Sequence, residues 1–328
     1  MTVISYIEAV NLALREEMAR DPKVFVLGED VGLKGGVFKA TQGLYEQFGE
    51  ERVLDTPLAE SAIVGVAVGV SAYGFRPVAE MQFADFIMPA VNQIVSEAAK
   101  MRYRSNGDWN CPLVIRAPYG GGIHGGPYHS QCVEAMFCNI PGLKVVAPST
   151  PYDVKGLLKS AIRDEDPVLF FEHKRCYRLI KGEVPNTDYV VPIGKADVKR
   201  EGKHITVITY GLTLHFALQA AEKLAKEDGY SAHILDLRTL YPMDKESIVE
   251  AARKTGKVLI VHEDNKEGGL GGEISAVIAE EILFELDAPI KRLCGPDVPA
   301  TPYNGIMEKF FMLNQDKVYD AMKELAQS

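Results

Sequence analysis

Short apolar runs alternate with amphipathic segments along most of the chain, and this alternation restricts the possible folds more than any other feature. Runs long enough for one buried strand each lie at residues 23–27, 77–81, 113–117, 144–147 and 168–172. Helices are predicted between them, among others over residues 89–104 and 130–139. The alternation predicts an α/β fold, with a mainly parallel sheet and helices on both faces. Such sheets bind ligands where their strands end, so site residues are expected directly after the apolar runs.

A break in the alternation predicts two domains. Helical and strand periods both lapse in the polar segment that contains Pro185 and Pro192. A length of 328 residues suits two domains better than one. We therefore predict a first domain over residues 1–180, a linker over residues 181–195 and a smaller α/β domain over residues 196–328.

Composition and charge exclude several classes of protein. Hydrophobic residues make up 47% of the chain and charged residues 25%, which is the balance of a globular protein. A net charge of -9 gives no basic footprint for nucleic acid and leaves acidic faces for a basic protein partner. No signal peptide or membrane-spanning segment fits the sequence, which predicts a cytoplasmic protein of a prokaryote. The five cysteines form no Cys-x-x-Cys pair, so reduced, structural thiols are expected.

Residues 52–74 place one acidic residue, Glu60, at the start of a helix with no charge between residues 62 and 73. Asp55 or Thr56 is expected to cap this helix, with Pro57 in its first turn. Partial removal of water from the Glu60 carboxyl would raise its pKa and favour the form that donates a hydrogen bond. The alternative is that Glu60 only complements the helix dipole.

The same helix carries Gly65 and Gly69, four residues apart. Two glycines at this spacing lie on one face, where a second backbone can approach closely. We therefore expect another backbone to pack closely against this face. The helix is too short to span a membrane.

A second candidate site is the glycine-rich loop over residues 119–131. Its Gly-x-Gly-x-x-Gly spacing does not indicate a nicotinamide site, because Pro127 interrupts the helix that should follow and no acidic residue follows at the expected distance. His124 and His129 lie in this loop, and either imidazole can serve as a general acid or bind a reacting oxygen. Solvated histidines are the alternative, and zinc is disfavoured because the loop offers no further ligands.

Phe86 and Gln82 follow the second apolar run. Phe86 is either a core residue or a flat face on which an aromatic ligand stacks, with Gln82 able to hydrogen-bond the edge of that ligand. Asp164 and Asp166 are either a solvated turn or part of an alkali-metal site. No nucleophile elbow, no Walker A motif and no diphosphate-holding Gly-Asp-Gly motif occurs.

Six motifs in order carry a family resemblance over essentially the whole chain. They are GEDVG at 28–32, DTPLAES at 55–61, AEMQFADF at 79–86, YHSQ at 128–131, PGLKVV at 141–146 and DLRTLYP at 236–242. The chain resembles the beta subunit of the decarboxylating component of 2-oxo acid dehydrogenase complexes. The segments between the motifs are more similar to the branched-chain type than to the pyruvate type.

The resemblance implies a thiamine diphosphate cofactor that is shared with an alpha subunit in an α2β2 heterotetramer. The alpha subunit would hold the diphosphate through Mg²⁺, and the beta subunit would supply a pyrimidine-binding domain and a transketolase-type C-terminal domain. Further partners implied are the lipoyl domain and the subunit-binding domain of a dihydrolipoyl transacylase core. Neither a nucleic acid nor a membrane is implied.

The resemblance also implies roles for single residues. Glu60 would be catalytic, through a hydrogen bond to the aminopyrimidine ring, with Leu58 and Gln82 beside it. Phe86 would stack on the ring, although relatives can carry a tyrosine there, and Glu29 would be an acidic neighbour of the cofactor.

Three further residues match family positions. His129 matches the active-site histidine of the beta chain. Asp164 and Asp166 match a potassium loop, in which relatives can carry Asp and Asn. The family therefore implies K⁺ as a possible third ion or cofactor, beside Mg²⁺ and thiamine diphosphate.

These features predict the beta subunit of a branched-chain 2-oxo acid dehydrogenase. With its alpha subunit it would decarboxylate branched-chain 2-oxo acids and reductively acylate the lipoyl group of the transacylase core. The alternative within enzymes is the beta subunit of pyruvate or acetoin dehydrogenase. An alternative of another class is a non-catalytic docking subunit whose acidic second domain binds a basic domain of the core.

Overall fold

The computed structural model describes every residue from Met1 to Ser328. Contacts divide the chain into two compact units, of which the first comprises residues 1–119 and 136–193. The second comprises residues 120–135 and 194–328, so the glycine-rich loop is grouped with the C-terminal part of the chain. The domain limits predicted above stay a prediction.

The first unit contains eight strands: β1 Thr2–Ser5, β2 Val24–Gly28, β3 Val53–Asp55, β4 Arg76–Glu80, β5 Val114–Tyr119, β6 Lys144–Val146, β7 Val168–His173 and β8 Lys181–Val184. Strands β6, β7, β5, β4, β2 and β3 follow one another in this order, and every neighbouring pair is parallel. Strands β1 and β8 form a separate antiparallel pair. All five predicted strands are present within about one or two residues of their expected limits.

Six α-helices belong to this unit: α1 Tyr6–Arg20, α2 Leu44–Phe48, α3 Glu60–Ala72, α4 Met101–Arg104, α5 Pro151–Arg163 and α6 Cys176–Leu179. Helix α1 packs along α5 and begins with the capping box of Ser5 and Glu8. Thr150 caps α5 by a single hydrogen bond, which its side chain accepts from the backbone N–H of Asp153.

The predicted helix over residues 89–104 is helical but irregular. It comprises the end of a 3₁₀ segment at Ala90, a π segment over Gln93–Ala98 and the short α4. The helix predicted over residues 130–139 is wrong. Residues 130–139 contain only a 3₁₀ turn at Glu134–Phe137. The carbonyl of Gln131 accepts a hydrogen bond from the distant N–H of Gly120, which holds this stretch outside a helix.

The predicted cap of α3 is also wrong. Ala59 is the N-cap residue and makes no side-chain hydrogen bond to the helix. The Asp55 carboxylate instead accepts a hydrogen bond from the N–H of Gly32 at 2.6 Å, and the Thr56 hydroxyl is buried without a partner. The N-terminal N–H groups of α3 are therefore left without a side-chain cap, and Glu60 is the first helical residue.

A buried ion network joins three strands of the first sheet. The Arg116 guanidinium donates two hydrogen bonds to Glu172, at 2.6 and 2.7 Å, and a third to Glu80. Burial opposes the charge on Arg116, but Glu172 and Glu80 together raise the Arg116 pKa. The Tyr177 hydroxyl donates to Glu172 at 2.7 Å and completes the network. A bidentate pair of this kind fixes the strands that carry it, and loss of one partner would leave an uncompensated buried charge.

The second unit contains six strands: β9 Asp197–Arg200, β10 Ile205–Thr209, β11 Ala232–Asp236, β12 Thr239–Tyr241, β13 Val258–Asn265 and β14 Lys291–Gly295. A five-stranded sheet has the order β14, β13, β10, β11, β9, in which only the edge strand β9 is antiparallel. The predicted smaller α/β domain has this form, although β9 and β14 were not predicted.

Five α-helices accompany this sheet: α7 Leu212–Glu227, α8 Lys245–Thr255, α9 Leu270–Ile282, α10 Gly305–Phe311 and α11 Gln315–Gln327. Helices α7 and α11 pack together, and their apolar residues share one core with β10, β11 and β13. Helix α8 ends at Gly256, whose φ of +66° places it in the left-handed region that favours glycine.

No helix of the chain combines the length and the apolar character needed to cross a membrane.

Candidate functional site

Five of the predicted site residues gather at one edge of the first sheet. Glu29 directly follows β2, Leu58 and Glu60 follow β3, and Gln82 and Phe86 follow β4. These three strands are neighbours in the order β3, β2, β4. Because parallel strands end at the same edge, the sheet brings these side chains to one region.

Glu29 and Glu60 are the acidic part of this region. Glu29 is buried, and its Oε1 atom has no hydrogen-bond partner. Burial, together with the negative charges of Glu60 and Asp30, raises the Glu29 pKa. Glu60 is half-buried at the uncapped start of α3. A carboxyl in this position can bind a ligand atom rather than serve only the helix.

Phe86 supplies the aromatic part. It lies in the 3₁₀ segment Ala84–Ala90 and is half-buried. Its ring meets that of Phe83 edge to face, with centroids 5.7 Å apart. This contact holds Phe86 in place and leaves part of its surface accessible for stacking.

Leu58 and Gln82 complete the region. Leu58 is 79% exposed, although it is a large apolar residue next to the start of α3. Gln82 is half-buried, two residues beyond the end of β4 at Glu80. Both side chains are accessible to a ligand or to a partner chain.

These residues fit the pyrimidine half of thiamine. Such a ring needs a carboxyl for its nitrogen, an aromatic face to stack on and an amide or second carboxyl for its edge. Glu60, Phe86 and Gln82 offer these groups, and the unpartnered buried oxygen of Glu29 is a further acceptor. The fit rests on the chemistry and the placement of these side chains.

His129 lies in the second unit, at the end of the 3₁₀ turn Gly126–Tyr128. The loop is closed at its base, where the N–H of Gly120 donates to the carbonyl of Gln131 at 3.0 Å. The Gln131 amide in turn donates to the carbonyl of Pro127 at 2.7 Å. His129 is half-buried in this closed loop, and its grouping with the five residues of the first unit stays a prediction.

Two carboxylates of the second unit accept hydrogen bonds from the backbone of the glycine-rich loop. Glu263, in β13, accepts a hydrogen bond from the N–H of Gly121 at 2.6 Å. Glu308, in α10, accepts from the N–H groups of Gly122 and His124 at 3.0 and 3.1 Å. Each of these charge-assisted bonds is stronger than one to a neutral acceptor.

His124 has a φ of +58°, which is rare for a residue with a side chain and costs about 1 to 2 kcal/mol. Its Nδ1 atom lies 2.6 Å from Oε2 of the buried Glu308. The carboxylate that binds the backbone of His124 therefore also binds its ring. The neighbouring Gly305 leaves room for this ring, since a Cβ atom there would lie 3.2 Å from its Cε1.

A buried acidic cluster follows the loop. Burial, with the charges of Asp264 and Glu263, raises the Glu134 pKa to about 8. Burial and the charge of Glu263 raise the Asp264 pKa to about 6. The Tyr210 hydroxyl donates a hydrogen bond to Glu134 at 2.9 Å. Proton occupancy of this cluster therefore changes within the neutral pH range.

Asp164 and Asp166 lie in the turn between α5 and β7. Lys144 donates to both carboxylate oxygens of Asp164 at 2.7 Å, and Arg102 donates to Asp166 at 2.5 Å. The carbonyl of Asp164 accepts a hydrogen bond from Arg76 at 2.9 Å. These acceptors are bound to cationic side chains, and a potassium ion at this turn stays a prediction.

No group of three or more His, Cys, Asp or Glu side chains in the chain is arranged to hold a metal ion.

Glu263 and Glu308 were not predicted. Glu263 lies near the end of β13, so the rule that predicted Glu29, that ligands bind where parallel strands end, also applies to Glu263. Glu308 carries no such signal, because its partners in the loop are up to 186 residues away in sequence.

Two family profiles match the chain. The profile described as "Transketolase, pyrimidine binding domain" matches residues 2–180, and "Transketolase, C-terminal domain" matches residues 194–318. The 2-oxoisovalerate dehydrogenase subunit beta of Bacillus subtilis (strain 168) is 74% identical over 327 residues, which cover 100% of both chains. The chain belongs to the beta subunits of the 2-oxo acid dehydrogenases.

Two further comparisons agree with this family. The pyruvate dehydrogenase E1 component subunit beta of the same organism is 48% identical over 90% of this chain and 91% of that protein. A solved structure described as "Split gene transketolase, inactive beta4 tetramer" is 27% identical, with a TM-score of 0.79 and coverage of 99% and 98%. The predicted family and the predicted pair of transketolase-type α/β domains are confirmed.

The acidic cluster gives a prediction for Glu134→Gln in this beta subunit. The folded pKa of about 8 exceeds the ordinary value of 4.5, so the folded state retains a proton that the unfolded state has lost. Stability of the natural chain should therefore fall as pH rises between these two values, by at most about 1.4 kcal/mol per pH unit. The amide cannot ionise, and it can still accept from Tyr210.

Urea unfolding near pH 5 and near pH 8 measures this difference. We expect Glu134→Gln to become more stable relative to the natural chain as pH rises. A difference between the two proteins that stays constant with pH would contradict the protonation of Glu134.

Proposed function

We propose that the chain is the beta subunit of a branched-chain 2-oxo acid dehydrogenase. With an alpha subunit it decarboxylates branched-chain 2-oxo acids on thiamine diphosphate and passes the acyl group to a lipoyl group. The observation that carries this proposal is Glu60 at the uncapped start of α3, beside the buried Glu29. The 74% identity to the 2-oxoisovalerate dehydrogenase beta subunit supports the choice of substrate class.

The residues of the first unit bind and orient the cofactor ring. The Glu60 carboxyl exchanges a proton with a nitrogen of the aminopyrimidine, and Phe86 stacks on the ring. Gln82 and Leu58 border the ring. Glu29 is an acidic neighbour of Glu60, and burial, together with the repulsion between their two negative charges, favours a proton on the Glu29 carboxyl group. The cofactor, when bound, supplies the electron sink for decarboxylation.

His129 acts on the substrate. A histidine can donate a hydrogen bond to a substrate carboxylate or oxygen near neutral pH. In this proposal it steadies the 2-oxo acid and assists transfer of the acyl group. The closed base of the loop, at Gly120 and Gln131, limits the positions that His129 can adopt.

The alpha subunit covers an exposed face of α3. Gly69 is exposed, and a Cβ atom there would have no neighbour within 4 Å. Val66 and Tyr73 lie on the same stripe, at 55% and 88% exposure. An apolar face with an open glycine fits a second helix at close range. The alpha subunit would also hold Mg²⁺ and the diphosphate, for which this chain has no motif.

The transacylase core is a further proposed partner. Helices α8 and α9 border a groove in which acidic residues outnumber basic ones: its lining has Glu246, Glu250, Glu280 and Glu281 against Lys245 and Arg253. Phe284, just beyond α9, is 100% exposed. An acidic groove beside an exposed aromatic residue suits a small basic domain, as the subunit-binding domain would be.

Two alternatives are weaker. The pyruvate type is supported by an identity of 48%, against 74% for the branched-chain type. A subunit that only docks the core has no use for a buried Glu29 and a half-buried Glu60 at the same strand ends. Potassium at Asp164 and Asp166 stays a prediction that the contacts of these residues with Lys144 and Arg102 do not favour.

A substrate panel tests the proposed function. The chain is purified with its alpha subunit, and turnover of 3-methyl-2-oxobutanoate, pyruvate and acetoin is measured with thiamine diphosphate, Mg²⁺ and a dye as electron acceptor. We expect kcat/KM to be highest for 3-methyl-2-oxobutanoate, by about tenfold or more, because the pocket gains from the extra methyl groups. Preference for pyruvate or acetoin would reject the branched-chain assignment.

The same assay tests the role of Glu60. Glu60→Ala should leave the assembly intact and lower decarboxylation at least about 100-fold, because proton transfer at the ring is lost. The exposed Glu51, replaced by alanine, is the matched control and should retain full activity. Near-wild-type turnover of Glu60→Ala would exclude the proposed thiamine chemistry.

A substitution on the exposed face of α3 tests the partner. Gly69→Leu should leave the beta chain folded, because the site is open and leucine favours helix by about 0.8 kcal/mol over glycine. It should block assembly with the alpha subunit, which light scattering after size-exclusion chromatography detects.

The control is Gly272→Leu, at a helical glycine of α9 that meets only the tip of Arg292, at 3.8 Å. This variant should form the heterotetramer normally. If Gly69→Leu also assembles, the alpha subunit does not cover this face. If it prevents only association between beta chains, the face belongs to a second copy.

A further inference from the structure

His124 is an exposed histidine anchored by a buried carboxylate. Its side chain is 68% exposed, whereas that of Glu308 is 4% exposed, and Nδ1 and Oε2 lie 2.6 Å apart. Since Nδ1 faces the carboxylate, it carries a proton, and Nε2 is the atom left for a ligand. This placement leaves Nε2 able to accept a proton and, when protonated, to donate one.

The other histidine and glutamate pair of the second unit has the opposite arrangement. The side chain of His233 is 4% exposed, and its partner Glu201, at 3.2 Å, is the exposed member. That imidazole is therefore less accessible to a large ligand. His204, which is exposed, is bonded to Ser231 and to no carboxylate.

The dyad is built into the loop rather than added to its surface. Both oxygens of Glu308 are used, one by the N–H groups of Gly122 and His124 and the other by the His124 ring. The positive φ of His124 directs the chain so that ring and backbone reach the same carboxylate. A solvated surface histidine needs neither feature.

We propose that His124 is a second catalytic residue of the histidine loop and gives a proton to sulfur during acyl transfer to a lipoyl group. Glu308 is its positioning residue, because it fixes the ring and the backbone together. The inference rests on the proposed function and deepens it. His124 and His129 lie five residues apart in one closed loop. In this proposal His129 binds the substrate, and His124 donates the proton to sulfur.

With the cofactor bound, the S–S bond of the lipoyl dithiolane would break as one sulfur bonds to the hydroxyalkyl carbon left after decarboxylation. The other sulfur would take the electron pair of the S–S bond and the proton from Nε2 of His124. The bond between that carbon and the cofactor would then break, with its electron pair returning to the cofactor, as the hydroxyl loses its proton and becomes the thioester carbonyl. The disulfide is reduced by two electrons and the hydroxyalkyl carbon is oxidised by two, and the hydroxyl proton restores His124 through water.

The test uses the α2β2 enzyme with thiamine diphosphate and a free lipoyl domain as acceptor. Acylation of the lipoyl domain and decarboxylation coupled to a dye are measured separately for His124→Gln and His124→Asn. We expect kcat for acylation to fall about tenfold or more beyond any loss in the dye assay. The KM for the lipoyl domain should change less than about twofold, because docking is not affected.

Variants of Glu308 test positioning. Glu308→Ala should reduce acylation as His124→Gln does, and Glu308→Asp should restore part of it. The double variant Glu308→Ala with His124→Gln should be no worse than His124→Gln alone, since Glu308 acts through His124. The controls Glu201→Gln and His204→Gln should leave both assays unchanged.

Hydrogen exchange supplies a readout that does not depend on activity. Glu308→Ala should speed exchange at the amides of Gly122 and His124 by about tenfold or more, because their acceptor is removed. Slow exchange in this variant would overturn the anchoring, and equal losses in the two assays would overturn the role of His124. If the unmodified enzyme decarboxylates no 2-oxo acid, the proposed function itself is rejected, separately from the role of His124.

Discussion

The buried ion network of Arg116, Glu80 and Glu172 is the interaction on which the first unit depends. It joins β4, β5 and β7, which carry its three members, near the edge where the candidate site lies. The network has two carboxylates and only one guanidinium. Burial, together with the negative charge of Glu172, raises the pKa of Glu80. Such a network is costly to break, because each remaining charge would stay buried without its partner. The strand ends are therefore held in one fixed relation.

The network reaches the candidate site through aromatic rings. The Tyr177 hydroxyl is bonded to Glu172, and the Tyr177 ring meets Phe38 with centroids 5.2 Å apart. Phe38 meets Phe83 at 5.4 Å, and Phe83 meets Phe86 at 5.7 Å. Phe86 is thus the outer end of a continuous packed series that begins at the sheet. This rigidity suits a residue proposed to hold an aromatic ring, since catalysis requires fixed positions more than strong binding.

The sequence allowed the strand-end residues to be predicted because parallel sheets place ligands by a general rule. Glu29, Glu60 and Phe86 lie just beyond the ends of parallel strands. Because ligands bind at the edge where such strands end, these residues could be predicted as site residues from the sequence. The cap of α3 and the helix at 130–139 were mispredicted because each depends on contacts outside its own segment. Asp55 binds Gly32, and Gln131 binds Gly120. The cation partners of Asp164 and Asp166 arise from the tertiary fold in the same way.

The beta subunit is proposed to supply one half of a cofactor site. It offers groups for the pyrimidine ring, and the alpha subunit is proposed to hold the diphosphate and Mg²⁺. Calorimetric titration of thiamine diphosphate with Mg²⁺ into the beta chain alone, the alpha chain alone and the purified pair tests this division most directly. The account predicts tight binding to the pair and no measurable binding to the beta chain alone. Tight binding to the isolated beta chain would contradict it.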